Sequence, residues 1–130
     1  MPHVFEYALL RAVPRQERGE FMNVGVLLYC ADEKFLRCRT HVDEQRLRAL
    51  DPRMDLGLLR DSLGLWCGTC DGSTTGPVRE TTLGQRFRWL TAPRSTLLQT
   101  SPAHTGFTDD PQGQLDHLWK TLVLVGPQPM

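Results

Sequence analysis

The sequence predicts one α+β domain, a mainly antiparallel sheet of about four strands with helices chiefly on one face. Three observations predict it. The chain has 130 residues, 40% hydrophobic and 23% charged, which suits a single globular core. Its first third consists of apolar or alternating segments joined by short polar links, the pattern of paired strands. After Asp43 the apolar residues recur at helical spacing, with capping residues ahead of them.

Val4 to Val13 is rich in aliphatic and aromatic side chains and reads as a first strand that stops at Pro14. Pro14 to Glu20 is polar, with Gly19 as the bend. Phe21 to Cys30 is a largely buried second strand, apolar except at Asn23 and Gly25. Phe35 to Val42 alternates: Leu36, Cys38, Thr40 and Val42 share one face, and Arg37, Arg39 and His41 the other. A half-buried antiparallel hairpin follows from strands two and three. On the same parity, Cys30 shares a face with Val24, Val26 and Leu28.

Asp43 caps a short helix carrying Leu47 and Leu50 inward. Asp51-Pro52 is a second start signal, with Leu56, Leu59, Leu63 and Trp66 at helical spacing behind it. Gly68 and Asp71 to Pro77 mark a loop. Thr82 and Gln85 form a capping-box pair that opens a helix through Leu90, which Ala92-Pro93 stops. Ser95 to Ser101 alternates as a fourth strand. Asp109-Asp110-Pro111 starts a last helix, with Leu115, Leu118, Trp119 and Leu122 as its buried stripe. The domain spans residues 1–125, and 126–130 should fray.

Fifteen basic and fifteen acidic residues leave no net charge, which disfavours non-specific nucleic-acid binding, since that calls for a basic excess. The basic residues are 13 Arg and only 2 Lys, beside 20 Leu and no Ile, a bias that fits a GC-rich coding genome. The longest apolar run, Val24 to Ala31, is far short of the roughly 20 residues a membrane span needs. Glu6 interrupts the apolar stretch from Val4, so no leader is read at the start, and a cytoplasmic location is expected.

Trp66-Cys67-Gly68-Thr69-Cys70 differs by one residue from the thioredoxin active-site pentapeptide. There the first cysteine sits at a helix N-terminus, whose dipole favours thiolate. Here Cys67 falls near a helix C-terminus, so a structural or incidental pair is expected. Cys30 and Cys38 lie on opposite hairpin strands and do not complete a zinc site with Cys67 and Cys70. Small buried hydrophobes are their expected role. No disulfide, metal or cofactor is expected.

Two polar segments invite chemistry. In the first, Arg18 and Glu20 lie in the turn before strand two, and Asn23, the only Asn in the chain, sits inside an apolar strand where its amide must find partners. Gly25 beside it permits close backbone approach. In the second, Arg86 to Gly106 contains no acid and gathers Arg86, Arg94, Ser95, Thr96, Gln99 and His104. Guanidinium, hydroxyl and backbone N–H donors converging near a turn bind oxyanions. His104 is a candidate general base for which no nucleophile is evident. The expectation is that Arg18, Glu20, Asn23, Arg94, Ser95, Gln99 and His104 converge on one polar site.

At these segments the sequence resembles small bacterial proteins catalogued as domain of unknown function 3037. The resemblance rests on Tyr7-Ala8-Leu9-Leu10-Arg11, Arg18-Gly19-Glu20-Phe21, Asn23-Val24-Gly25-Val26, Arg86-Phe87, Trp89-Leu90, Ala92-Pro93-Arg94-Ser95-Thr96, Gln99, Ser101-Pro102, His104-Thr105-Gly106 and Asp110-Pro111. The cysteine pair is outside that pattern. The resemblance implies no established activity. Genes of similar proteins often adjoin those of kinases resembling the toxin kinase of bacterial persistence modules, which implies a partner or regulator of such a kinase. A non-catalytic binding or regulatory protein with an anion-binding patch is therefore expected. The alternative is an enzyme acting on a phosphate-bearing or nucleotide substrate, with His104 as acid/base and Arg86, Arg94 and Ser95 holding the anion.

Overall fold

In the computed structural model, residues 2–71, 82–92 and 97–124 are described. β1 (His3–Ala12) and β2 (Met22–Cys30) are joined by a tight turn containing a 3-10 segment, Gln16–Arg18. Gly19 closes it at φ 68°, a left-handed conformation in which a Cβ would be strained. β3 (Phe35–Thr40) completes the hairpin with β2. The helices α1 (Glu44–Leu50), α2 (Leu56–Asp71) and α3 (Leu83–Leu90) follow, then β4 (Leu98–Thr100), β5 (His104–Thr108) and α4 (Pro111–Leu122).

The sheet is antiparallel in the order β3-β2-β1-β4, with β5 also on β1. β4 takes the rungs at Leu10 to Ala12 and β5 those at His3 to Tyr7. They are two pieces of one edge strand, broken where Pro102 has no N–H to offer. Ser101 bridges the break: its N–H donates to the Leu9 carbonyl at 2.9 Å, and its hydroxyl accepts the Leu9 N–H at 2.8 Å. The fourth strand is thus realised as Leu98–Thr100, its expected first residues Ser95 and Thr96 lying outside the described residues. The fifth strand was not expected from sequence, because Gly106 interrupts a short segment that lacks apolar alternation.

Helices lie chiefly on one face, as expected. α1, α2 and α3 cover that face through Leu47, Leu59, Leu63, Phe87 and Leu90, packed on Leu10, Ala12, Leu27 and Leu36. α4 lies alone on the opposite face, with Leu115 and Leu118 against Phe5, Val26, Leu28 and Cys30. Asp110 caps it by accepting the Gly113 N–H at 3.1 Å, with Pro111 in its first turn. Arg39 ties α4 to the sheet, paired with Asp116 at 2.7 Å and stacked 3.6 Å from the centre of the Trp119 ring.

Four expectations are corrected. Asp51-Pro52 does not start a helix. The Asp51 N–H closes α1 on Leu47 at 2.9 Å, and its carboxylate takes the Arg53 N–H; α2 begins at Leu56, with Asp55 accepting from Leu58. Gly68 does not begin a loop, because Gly68, Thr69 and Cys70 are buried and packing holds the helix through Asp71. Leu122 is 37% exposed rather than part of the buried stripe. Finally, Val24 leaves the face of Val26 and Leu28 for that of Leu10, since Gly25 pairs with Leu10 and Asn23 with Arg11, making Val24 the extra residue of a β-bulge.

Cys38 on β3 and Cys67 on α2 are joined as a disulfide, with Cα atoms 5.9 Å apart; Cys30 and Cys70 are buried outside it. No disulfide was expected; Cys38 and Cys67, 29 residues apart in sequence, meet because the last turns of α2 pack on β3. Parity had already turned Cys38 inward, and the last turns of α2 meet it there. The 126–130 tail lies outside the described residues. Among those residues no helix is long and apolar enough to cross a membrane.

Candidate binding site on the open end of the α4 face

Alternation along β1 puts Phe5, Tyr7, Leu9 and Arg11 on the α4 face, because Ala8, Leu10 and Ala12 take the other. α4 covers only part of this face, packing on β2 and β3. Toward β4 the sheet carries Arg11, Asn23 and Gln99, since Arg11 pairs with both Asn23 and Gln99. The β-bulge decides this placement. Without Val24 as an extra residue, Asn23 would point with Gly25 to the apolar face of α1–α3. Gly25 itself is required there: an added Cβ would lie 3.0 Å from the Leu10 and Thr40 side chains and 3.2 Å from the Arg39 carbonyl.

Asn23 donates its amide N–H to the Leu122 carbonyl at the end of α4, 3.2 Å away. This fixes the amide orientation and leaves Oδ1 as an acceptor. Arg11 lays its guanidinium 4.2 Å over the centre of the Phe21 ring, and that ring is 48% exposed. Arg11 Nε and Asn23 Oδ1 are both buried and find no hydrogen-bond partner among the described residues; Thr100 Oγ1, another such atom, is on the next rung and faces the other side with Leu10. An unmatched buried donor or acceptor costs about 1–3 kcal/mol. Two of them stand on register partners, Arg11 and Asn23.

His104 joins the same row further along. It pairs with Tyr7, and the two rings lie 5.1 Å apart. Tyr7 is four residues from Arg11, so His104 stands about 13 Å along the strand from the Arg11 rung. Gly106 beside it lies under the Phe5 ring, 2.8 Å from where a Cβ would sit.

The remaining candidates go elsewhere. Arg18 and Glu20 pair with each other in the turn and line a separate pocket of about 260 Å³ with Arg15 and Asp51. The Glu20 carboxylate raises the Arg18 pKa above its ordinary value, through a hydrogen bond and charge attraction. Arg86 is on α3, against the β3 edge, where it donates to the Cys70 carbonyl at 3.4 Å. It is therefore on the opposite sheet edge from His104, and the two do not share a site. Arg94, Ser95 and Thr96 lie outside the described residues. Asn23 and Gln99 thus come together, His104 flanks them, and Arg18 and Glu20 do not join them.

Arg11, Phe21 and Tyr7 were not among the site candidates. Arg11 carried a visible signal, as the one basic residue in an otherwise apolar strand end and the last of the Tyr7–Arg11 motif. The family comparison covers this whole arrangement, matching the description Protein of unknown function (DUF3037) over residues 7–123. The chain belongs to the DUF3037 family. No curated protein and no solved structure matches it. The DUF3037 match spans both polar places, the Arg18–Glu20 turn and the Arg11–Asn23 rung.

Proposed function

We propose that this DUF3037 protein is a non-catalytic binding and regulatory protein whose contact surface is the open end of the α4 face. The observation that carries the proposal is that Arg11 Nε and Asn23 Oδ1, a buried donor and a buried acceptor, stand on one rung without partners among the described residues. The guanidinium supplies positive charge for a carboxylate or phosphate oxygen, and Asn23 Oδ1 accepts from a neighbouring N–H or O–H. Exposed Phe21 beside them adds an aromatic anchor of the kind enriched at protein contacts. The partner proposed from the family resemblance is a kinase-like protein, met in the cytoplasm.

The test is co-expression with a kinase of the class that the resemblance implies. The expected result is a complex that survives size exclusion with the wild-type chain and is lost with Arg11→Ala. Arg53→Ala, on the separate pocket, should leave it intact. Absence of any wild-type complex counts against the proposal, as does a complex indifferent to Arg11.

A further inference from the structure

A second place in the molecule carries chemistry that the binding surface does not use. A groove of about 730 Å³ runs along the outer edge of β3, lined by Lys34, Cys38, Cys67, Cys70, Leu83 and Arg86. Cys38 and Cys67 come from different elements 29 residues apart, and their Cα distance of 5.9 Å falls in the window that a disulfide spans without backbone movement. Both are partly exposed. Cys30 is 0% exposed and Cys70, although it lines the groove, only 1% exposed, so a reagent in the groove reaches the first pair more readily. Lys34, Arg37 and Arg86 outnumber Glu33 along the groove, a positive balance that attracts an anionic small molecule.

We propose that Cys38–Cys67 is a reversible thiol–disulfide site that exchanges with a low-molecular-weight disulfide of the glutathione class. In the oxidising direction the Cys38 thiolate attacks one sulfur of the small disulfide. A mixed disulfide forms on Cys38 and one small thiolate leaves. The Cys67 thiolate then attacks Cys38 Sγ, forming Cys38–Cys67 and expelling the second small thiolate. The protons given up by the two cysteines end on the two expelled thiolates. Two electrons pass from the protein pair to the small disulfide, and reduction is the reverse. The bond fastens the C-terminal turns of α2 to the edge strand, and its reduction releases them. The direction of attack follows from the helix: Cys67 lies in the last turns of α2, where the dipole opposes thiolate, so Cys38 on the strand is the better first nucleophile.

The test is equilibration of the full chain in glutathione buffers from fully reduced to fully oxidised, followed by acid quench, alkylation, intact mass and peptide mapping. The expected result is a loss of two hydrogens that reverses on return to reducing buffer and maps to Cys38–Cys67. The oxidised form should melt about 5–15 °C above the reduced one, from closure of the intervening loop. Cys30→Ser and Cys70→Ser should behave as wild type, and Cys67→Ser should trap glutathione on Cys38. Four thiols that alkylate across the whole range overturn the proposal, as does a bond mapping to Cys67–Cys70 or one that resists reduction throughout. The wild-type mapping decides the matter even if a variant fails to fold.

Discussion

One sheet presents two faces to its helices, and they are finished differently. Under α1, α2 and α3 the face is closed: Leu10, Leu27, Leu59, Phe87 and Leu90 are all at or below 1% exposure. The α4 face is closed only beneath the helix, where Leu28, Cys30 and Leu115 pack. Beyond Leu122 it turns polar, with buried atoms of Arg11 and Asn23 unmatched among the described residues. The difference teaches that the main apolar core and the Arg11–Asn23 polar rung occupy opposite faces of one sheet. The closed face supplies most of the apolar burial, with Thr100 Oγ1 on the Leu10 rung as an unmatched atom among the described residues, while the open end keeps two such atoms on one rung, at a cost of about 1–3 kcal/mol each.

Substitutions can sharpen or break this contrast. The largest effect is expected at Leu59→Ala on the closed face, where a fully buried side chain should take about 2–5 kcal/mol with it, measured by urea denaturation. A loss below about 1 kcal/mol would mean that this face is not the main core. Gly106→Ala tests the covered part of the α4 face. Its new methyl meets the Phe5 ring at 2.8 Å, so the ring must move, at about 1–3 kcal/mol. Asp110→Ala removes the α4 cap for about 1 kcal/mol. Asn at the same position, with its side-chain oxygen retained, should recover most of it.

The smallest stability effect is expected at the open end. Arg11→Met keeps a stem to lie on Phe21 and removes the unmatched N–H, so stability should change by less than about 1 kcal/mol, with a gain more natural than a loss. Partner binding should nevertheless disappear. A severe loss of stability in this variant would show that Arg11 is a structural residue and would end the contrast.

Much of the fold was legible because it rests on short-range signals. The hairpin strands follow from parity, and Asp43, the Thr82–Gln85 box and Asp110-Pro111 mark three helix starts through hydrogen bonds that join residues three apart. What the sequence hid depends on pairing between distant residues. One extra residue at Val24 reverses the face of everything before it in β2, and nothing in Met22-Asn23-Val24 announces a bulge. β5 is set by its register on β1, from His3 to Tyr7. The site suffered for the same reason. Asn23 and Gln99 were recognisable as polar residues in apolar surroundings, but Arg11 became a site residue only once the register set it between them. Cys38 and Cys67 found each other across 29 residues, a pairing that spacing rules do not reach.

The central claim is that the open end of the α4 face is where a partner binds. Amide hydrogen exchange on the co-purified complex with the kinase-like protein, compared with the chain alone, tests it most directly. New protection should be confined to Leu9–Ala12, Phe21–Val24 and Leu98–Ser101, with the α1–α3 face unchanged. Protection concentrated on α1, α2 and α3, with the Arg11 and Asn23 segments exchanging as in the unbound chain, would contradict it.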